Sequence, residues 1–370
     1  KVRKFFDKVE VVCPIEVVAE VRMRLLDTPG IQQILEAVQF DNMNTLDDIK
    51  VVVNETMAHE IQGKTFVVRC KRMGTQEFKS TQVEQTVGGY MLAMNDTKGV
   101  ALKGAEYTIN LELEFAQLNV ITHKHMGMGG FPIGSQGSIL SLMSGGFDST
   151  VASYLTMKRG IKTHFIFFNL GGIAHEIGVK QVAYYLWNKF GSSHRVQFIS
   201  VPFDDVVTEI FKSVSEPYMG VMLKRLMLIA SEKIADTMKI DALVTGESVA
   251  QVSSQTLRNL ALIDQATNKL VLRPLAMMSK PDIIDIAYKI GTSRFAEAMP
   301  EYCGVISKNP VTHGSYERME KEAKYFDYSI LDEAVKNSVF VNVDEIDQDV
   351  SEIGQMEIVN DLSSGDYTVI

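Results

Sequence analysis

Apolar and polar positions change their rhythm about a third of the way along the chain. Residues 9–12 alternate as a strand. Residues 15–26 carry apolar side chains at helical spacing and stop at Asp27-Thr28-Pro29-Gly30, a sequence that ends helices. Residues 31–40 read as a strand, and residues 46–61 as an amphipathic helix with Thr45 as its N-cap. Residues 64–71 are rich in β-formers, and residues 80–94 return to helical spacing. Strict alternation over 107–115 and 118–123 predicts a hairpin around Ala116-Gln117. This third is predicted to be an α+β region of small sheets. A glycine-rich stretch, 126–134, follows; it reads as a linker or boundary, or as a segment that also touches substrate.

From Ser138 the pattern becomes α/β. Short apolar strands are predicted at 139–143, 163–168, 196–201 and 242–245, separated by helices at 148–158, 174–190 and 220–238. Such alternation predicts a doubly wound, mostly parallel sheet, with ligands at the carboxyl ends of its strands.

Composition adjusts this picture. With 370 residues, 46% of them hydrophobic, two or three domains are expected. The three cysteines, Cys13, Cys70 and Cys303, form no CxxC or Cys/His cluster, which argues against a disulfide framework and a structural zinc site. Cys13 and Cys70 lie in strand-like runs that should bury them. No apolar run reaches the ~18 residues of a membrane span, and no basic-then-apolar leader opens the chain. A reducing, cytoplasmic location is therefore expected. The formal net charge is −9, but residues 316–370 hold 14 acids against 4 bases, and residues 1–315 are close to neutral. The acidity is thus local and leaves room for a basic face elsewhere. Arg69, Lys71, Arg72 and Lys79 fall within eleven positions. They form either a phosphate-binding patch or a solvated strand edge.

The sharpest chemical signal is Ser144-Gly145-Gly146-Phe147-Asp148-Ser149-Thr150, between a predicted buried strand and a helix. Glycines let a phosphate approach the main chain, and a helix start offers free N–H groups at the positive end of its dipole. Ser144, Ser149 and Thr150 add hydroxyls. No Walker lysine follows, so the loop suits a pyrophosphate product better than γ-phosphoryl transfer. The plainer alternative is a glycine turn capped by Asp148.

This loop resembles that of the PP-loop ATP-pyrophosphatases. The segments 167–172, 175–178, 190–195, 243–247, 251–256 and 299–307 narrow the resemblance to the tRNA 4-thiouridine synthetase (ThiI) family. The resemblance implies a ferredoxin-like remnant at 1–19, a THUMP region at 20–124, a glycine-rich linker at 125–137, a PP-loop domain at 138–315, and an acidic segment at 316–370. That last segment would lead towards a rhodanese-like domain, so the chain reads as a piece cut at both ends. The implied reaction is adenylation by ATP of O4 of a tRNA uridine, position 8, followed by sulfur transfer to give 4-thiouridine. A second implied role is sulfur supply for the thiazole of thiamine. Alternatives are another PP-loop tRNA-modifying enzyme, such as a 2-thiouridine type, or a catalytically incomplete tRNA-binding protein.

By the same resemblance Asp148, Lys280 and Cys303 are catalytic, with Asp148 also holding Mg2+. ATP contacts are implied for Leu142, Met143, Ser144, Gly145, Gly146, Ser149, Phe168, Lys224, Gly246 and Gln255, and tRNA contacts for Arg69, Lys71, Arg72 and Lys79. Taken alone, Lys224 and Lys280 read equally as solvated or helix-start lysines, Gly246 as a turn glycine and Cys303 as a small buried hydrophobe. Sulfur is implied to come from a cysteine desulfurase through a persulfide on a rhodanese-like domain or protein, with Cys303 resolving the linkage as a disulfide. A homodimer would let one THUMP region serve the other subunit's site. His175 and His194 lack metal-ligand spacing and read as structural, and Met277-Met278 as packing.

Overall fold

The structure, a computed structural model, describes residues 1–4, 8–74, 77–170, 172–299 and 307–346. They fall into two units, Lys1–Leu26 with Gln32–Gly127, and Asp27–Ile31 with the chain from Met128 onward.

The smaller unit contains β1 (Val2–Lys4), β2 (Val9–Val11), α1 (Val18–Leu26), β3 (Gln33–Phe40), α2 (Leu46–Met57), β4 (Thr65–Met73), α3 (Ser80–Met94), β5 (Gly99–Val100), β6 (Tyr107–Glu114) and β7 (Gln117–Met126). Strands β3-β7-β6-β4-β5 form one sheet, while β1 and β2 pair separately. The period of two decides what each strand buries. Phe66, Val68 and Cys70 of β4 and Ile109, Leu111 and Leu113 of β6 pack with Ile49 and Val53 of α2 and Val83, Val87 and Met91 of α3. The Thr45 hydroxyl starts α2 by accepting from Asp48 N at 3.1 Å. The hairpin turns at Phe115, whose φ is +52°, one residue before the expected place. A boundary after residue 19 would cut through α1. Cys70 is buried as expected, but Cys13 lies beyond the end of β2 and is only half-buried.

The larger unit contains β8 (Ser138–Leu142), α4 (Phe147–Lys158), β9 (Lys162–Asn169), α5 (Ile173–Leu186), β10 (Gln197–Pro202), α6 (Asp204–Ser213), α7 (Met219–Thr237), β11 (Ala242–Val244), α8 (Leu257–Asp264), β12 (Leu270–Leu272), α9 (Lys280–Ile290), α10 (Ser293–Ala298), α11 (Tyr316–Tyr325), α12 (Tyr328–Lys336) and β13 (Val339–Asn342). The sheet order is β12-β11-β8-β9-β10-β13, parallel except for β13. Neighbouring residues on each strand feed opposite faces. Leu140, Ile166, Ile199 and Leu243 join one core, with Met222 and Leu226 of α7. Ile139, Phe165, Phe198 and Val244 join the other, with Val151 of α4, Val179 of α5 and Ile283 of α9. The chain winds from β8 through β9 to β10, then returns to β11 on the other side of β8. Ligand clefts form at the carboxyl ends of strands flanking such a reversal.

Two expectations change. The division between the two units falls inside the glycine-rich stretch, after Gly127, but beyond it the stretch is packed rather than a plain linker: Phe131 N donates to Lys158 O at 3.4 Å, and a Cβ on Gly130 would stand 1.7 Å from that oxygen. The acidic segment begins inside the fold. Residues 316–346 supply α11, α12 and the antiparallel edge strand β13, with Met319 and Leu331 in the core. Charge composition misled there because α11 and α12 bury narrow apolar stripes under charged outer faces.

Candidate functional site

The loop between β8 and α4 leads into a helix start with donors to spare. Gly146 caps α4 without a side-chain hydrogen bond, so the first main-chain N–H groups of the helix keep no intrahelical partner. Gly145 takes φ +83°, and a Cβ there would collide with Met299 Sδ at 2.1 Å. The hydroxyls shape the loop from within. Ser149 Oγ accepts from Ser144 N at 3.1 Å and lies 3.3 Å from Gly146 O, while Thr150 Oγ1 donates to Gly146 O at 2.8 Å. Ser149 and Thr150 are buried, and their hydroxyls are engaged within the loop itself. His175 fixes the same loop from α5 through Nε2 and Ser144 O, 3.1 Å apart. A carbonyl only accepts, so that ring nitrogen carries the hydrogen. Burial holds the His175 pKa below the usual histidine range, which keeps the ring neutral.

Asp148 stands on the first turn of α4. Lys280 Nζ reaches its Oδ1 at 2.7 Å, and Gln251 Nε2 donates to its Oδ2 at 2.8 Å. Lys280 begins α9, whose start is set by Ser279 and Asp282 in a capping box and by Pro281 in the first turn. Its ammonium also lies 5.8 Å from the centre of the Phe147 ring. Gln251 follows Ala250, a non-glycine residue with φ +65°, in a loop folded around the buried Gln255. Gln255 Oε1 accepts from Ser248 N at 3.3 Å, and its main-chain oxygen accepts from Ala250 N at 2.9 Å. This loop is joined to the approach to Lys280 by Val249 N to Ala276 O, 3.0 Å, and Ser248 Oγ to Met278 O, 2.9 Å. The two partners of Asp148 are therefore placed together.

Gly246, just past β11, lies against the start of α4. A Cβ on it would stand 2.6 Å from Asp148 C and Ser149 N. The next residue, Glu247, is 3% exposed. Its Oε1 meets Lys224 Nζ at 3.2 Å, and its Oε2 accepts from Arg273 Nε at 2.9 Å and Thr245 Oγ1 at 3.0 Å. Burial alone would raise the carboxyl pKa, but Lys224 and Arg273 outweigh it and hold Glu247 below the ordinary range.

The other expected residues fall as follows. Leu142 ends β8 and Met143 follows it, with Met143 N donating to Ile166 O at 2.8 Å. Phe168 is a core side chain, its ring edge-on to Phe203 at 4.6 Å, so it can offer a nucleotide only its main chain. His194 bonds Ser193 Oγ at 2.9 Å, as a structural residue would. Met278 packs on the core while Met277 is 86% exposed, so half of that expectation fails. Arg69, Lys71 and Arg72 lie along β4, and Lys79 precedes α3. Arg69 is partly engaged, by Leu102 O at 2.9 Å and Glu84 at 3.8 Å, whereas Lys71 is exposed. Cys303 lies outside the described residues. Cys70 is no substitute nucleophile, because burial and Glu84 push its thiol up to about 11.

Among the described residues no group of three or more His, Cys, Asp or Glu side chains could hold a metal. Asp148 offers a single carboxylate. That is enough for Mg2+ arriving on ATP, since this ion is usually held by one or two carboxylates with phosphate oxygens and water. Each Asp148 oxygen keeps a further lone pair beyond the one used by Lys280 or Gln251.

Sequence reading did not single out Gln251, Glu247, Arg273 or Met299 as parts of the site. Three of them lie in the segments that carry the family resemblance, but nothing in their spacing shows which loop atoms they meet. Arg273 lies outside those segments.

An uncapped glycine loop at a sheet reversal, an Asp–Lys pair over it and no Walker lysine define the class: a PP-loop nucleotide-binding α/β domain. A family model described as "Thiamine biosynthesis protein (ThiI)" matches residues 134–328, and a THUMP domain model matches residues 43–120. The tRNA sulfurtransferase of Saccharophagus degradans is 48% identical over 365 residues, 98% of this chain and 75% of that protein. That of Aeromonas hydrophila is 50% identical over 342 residues, 92% of this chain and 70% of that protein. A 4-thiouridine synthetase solved with RNA and bound ATP superposes with a TM-score of 0.82 at 24% identity, over 92% of this chain and 90% of that one, a likeness of fold. The chain belongs to the ThiI family of tRNA sulfurtransferases. No helix among the described residues is long and apolar enough to cross a membrane.

Proposed function

We propose that this chain uses ATP to adenylate O4 of a tRNA uridine and then directs sulfur to that carbon, giving 4-thiouridine. The observation that carries this reading is the Lys280–Asp148 pair, 2.7 Å apart, at a helix start whose first main-chain N–H groups have no intrahelical partner. A uracil carbonyl oxygen is a poor leaving group. Attack of O4 on the α-phosphorus expels pyrophosphate and converts that oxygen into part of an AMP leaving group, which sulfur then displaces. The α4 N-terminus receives phosphate charge, and the Lys280 ammonium offsets charge that builds up during transfer. Mg2+ bound to ATP would be held by Asp148 and would supply Lewis-acid stabilisation of the departing pyrophosphate. Lys224, Gly246, Gln255 and the main chain of Leu142, Met143 and Phe168 line the nucleotide's place in this reading.

Arg69, Lys71, Arg72 and Lys79 bind tRNA phosphates. Sulfur comes from a cysteine desulfurase by way of a persulfide on a rhodanese-like domain or protein, and Cys303 resolves the linkage. Sulfur supply for thiamine thiazole is a second role of the same transfer chemistry. The compartment is the cytoplasm.

One assay tests the reading: the chain is incubated with tRNA, labelled ATP and a sulfide source. Release of AMP and pyrophosphate should require tRNA and be accompanied by the near-ultraviolet absorbance of 4-thiouridine. Nucleotide cleavage that ignores tRNA would refute it.

A further inference from the structure

The carboxylate of Glu247 is buried beside the loop yet takes no part in the chemistry just described. Burying an ionised carboxylate costs several kcal/mol unless it is paired in good geometry. Here its two oxygens are shared between two cations of different standing. Arg273, with a side chain 11% exposed, gives Nε to Glu247 and turns its second nitrogen to Asp264 Oδ1 at 2.7 Å. It is committed on both sides. Lys224, with a side chain 33% exposed, forms an ion pair with Glu247 Oε1 at 3.2 Å. The charges alternate along the chain of contacts: Lys224 positive, Glu247 negative, Arg273 positive, Asp264 negative. Asp264, at the far end, is 50% exposed. Arg273 helps keep the buried Glu247 carboxylate ionised, so Glu247 can hold the ammonium in place. Glu247 also follows Gly246, which lies against Asp148 and Ser149. The carboxylate that holds the ammonium is thus next in sequence to a residue packed on the phosphate loop.

We propose that Glu247 is a positioning residue that presents the Lys224 ammonium to the phosphate oxygens of a nucleoside triphosphate, with Arg273 as its counter-charge. This rests on the reading of the loop as the ATP site. A merely structural Glu247, pinning α7 to β11 and β12, would act on stability without acting through Lys224.

A double-mutant cycle on the full chain separates the two. Pyrophosphate release is measured with tRNA at varied ATP for wild type, Lys224→Met, Glu247→Gln and the double variant, with a thermal melt of each. Each single change is expected to raise KM for ATP about tenfold, the effect of one hydrogen bond to a charged group, while kcat stays within about twofold. The double variant should be no worse than the poorer single, because both remove one interaction. A rise near the product of the two single effects, about a hundredfold, would overturn the proposal. Glu247→Asp guards against simple unfolding, since it keeps the charge but withdraws the carboxylate by one methylene. It should raise KM for ATP about threefold with Lys224 present and not at all with Met there. An equal rise in both backgrounds overturns the proposal. If wild type releases pyrophosphate with tRNA but Lys224→Met leaves KM unchanged, this assignment fails alone. If wild type releases none, the reading of the site fails and takes the assignment with it.

Discussion

Replacing Gly246 with alanine tests whether the end of β11 sets the position of the phosphate loop. The added Cβ would stand 2.6 Å from Asp148 C and Ser149 N and 2.8 Å from Asp148 O. All three are main-chain atoms, so no side chain can swing aside. Relief to ordinary contact near 3.4 Å requires the start of α4 to retreat by about 0.8 Å. Overpacking of this kind costs about 1–3 kcal/mol, which for a unit of this size lowers Tm by roughly 2–10 °C. The catalytic loss should be larger than the stability loss. A shift approaching 1 Å in groups that position reacting atoms costs on the order of a hundredfold in rate. The expected result is a folded protein with kcat/KM for tRNA-dependent pyrophosphate release down about 30- to 100-fold. Gly89→Ala is the control. Gly89 lies exposed within α3, its added Cβ meets nothing within 4 Å, and alanine favours helix, so stability should rise by about 0.5–1 kcal/mol with turnover unchanged. A Gly246→Ala protein that melts lower yet turns over at the wild-type rate would refute the placement of the nucleotide against this contact.

Three further outcomes are expected. Gln251→Met removes the N–H held on Asp148 Oδ2 and should lower kcat for pyrophosphate release about tenfold with KM for ATP within about twofold; an unchanged kcat would show that Lys280 suffices to orient Asp148. Lys71→Glu with Arg72→Glu should weaken tRNA binding and flatten its dependence on log salt by about 1–2, with ATP binding kept; identical tRNA affinity across a salt series would exclude β4 from the RNA contact. His164 is held at about 4, below the ordinary 6.5, by burial and by Lys162, while its Nδ1 accepts from Gln197 N at 3.0 Å. Between those values the unfolded chain binds a proton that the native chain refuses, so stability falls as pH drops through 6.5 towards 4, by up to about 3 kcal/mol. Denaturant midpoints at pH 7 and pH 4.5 should fall less in His164→Gln than in wild type, and equal falls would refute this.

Much of the fold could be read from periodicity. Strands β8, β9, β10 and β11 are short apolar runs, and each feeds both cores because the sheet is covered on both faces. The phosphate loop was equally plain, since its chemistry lies within a few consecutive residues. What could not be read has physical causes. Spacing does not show that Gly130 is needed because its backbone lies against Lys158 O, so a packed segment looked like a linker. That the hydroxyls of Ser149 and Thr150 have partners within the loop is not visible in their sequence positions. The expected catalytic pair was named on resemblance alone, and nothing in the residues' spacing brings position 148 to position 280.

That meeting follows from topology. The reversal of strand order puts the segment after β11 beside the loop after β8, and Gly246 lets the two backbones touch. The loop 248–255 leaves this contact with a left-handed turn at Ala250, a conformation that costs a non-glycine residue about 1–3 kcal/mol and is retained where the surroundings over-determine it. Its cost is offset by hydrogen bonds to Gln255 on one side and to residues 276 and 278 on the other. The same bonds aim Gln251 at one oxygen of Asp148 while the capping box at Ser279 aims Lys280 at the other. A loop read at first as glycines between a strand and a helix is thus one side of a site. Its other side is delivered by a strained turn more than a hundred residues away, with Asp148 held from both directions.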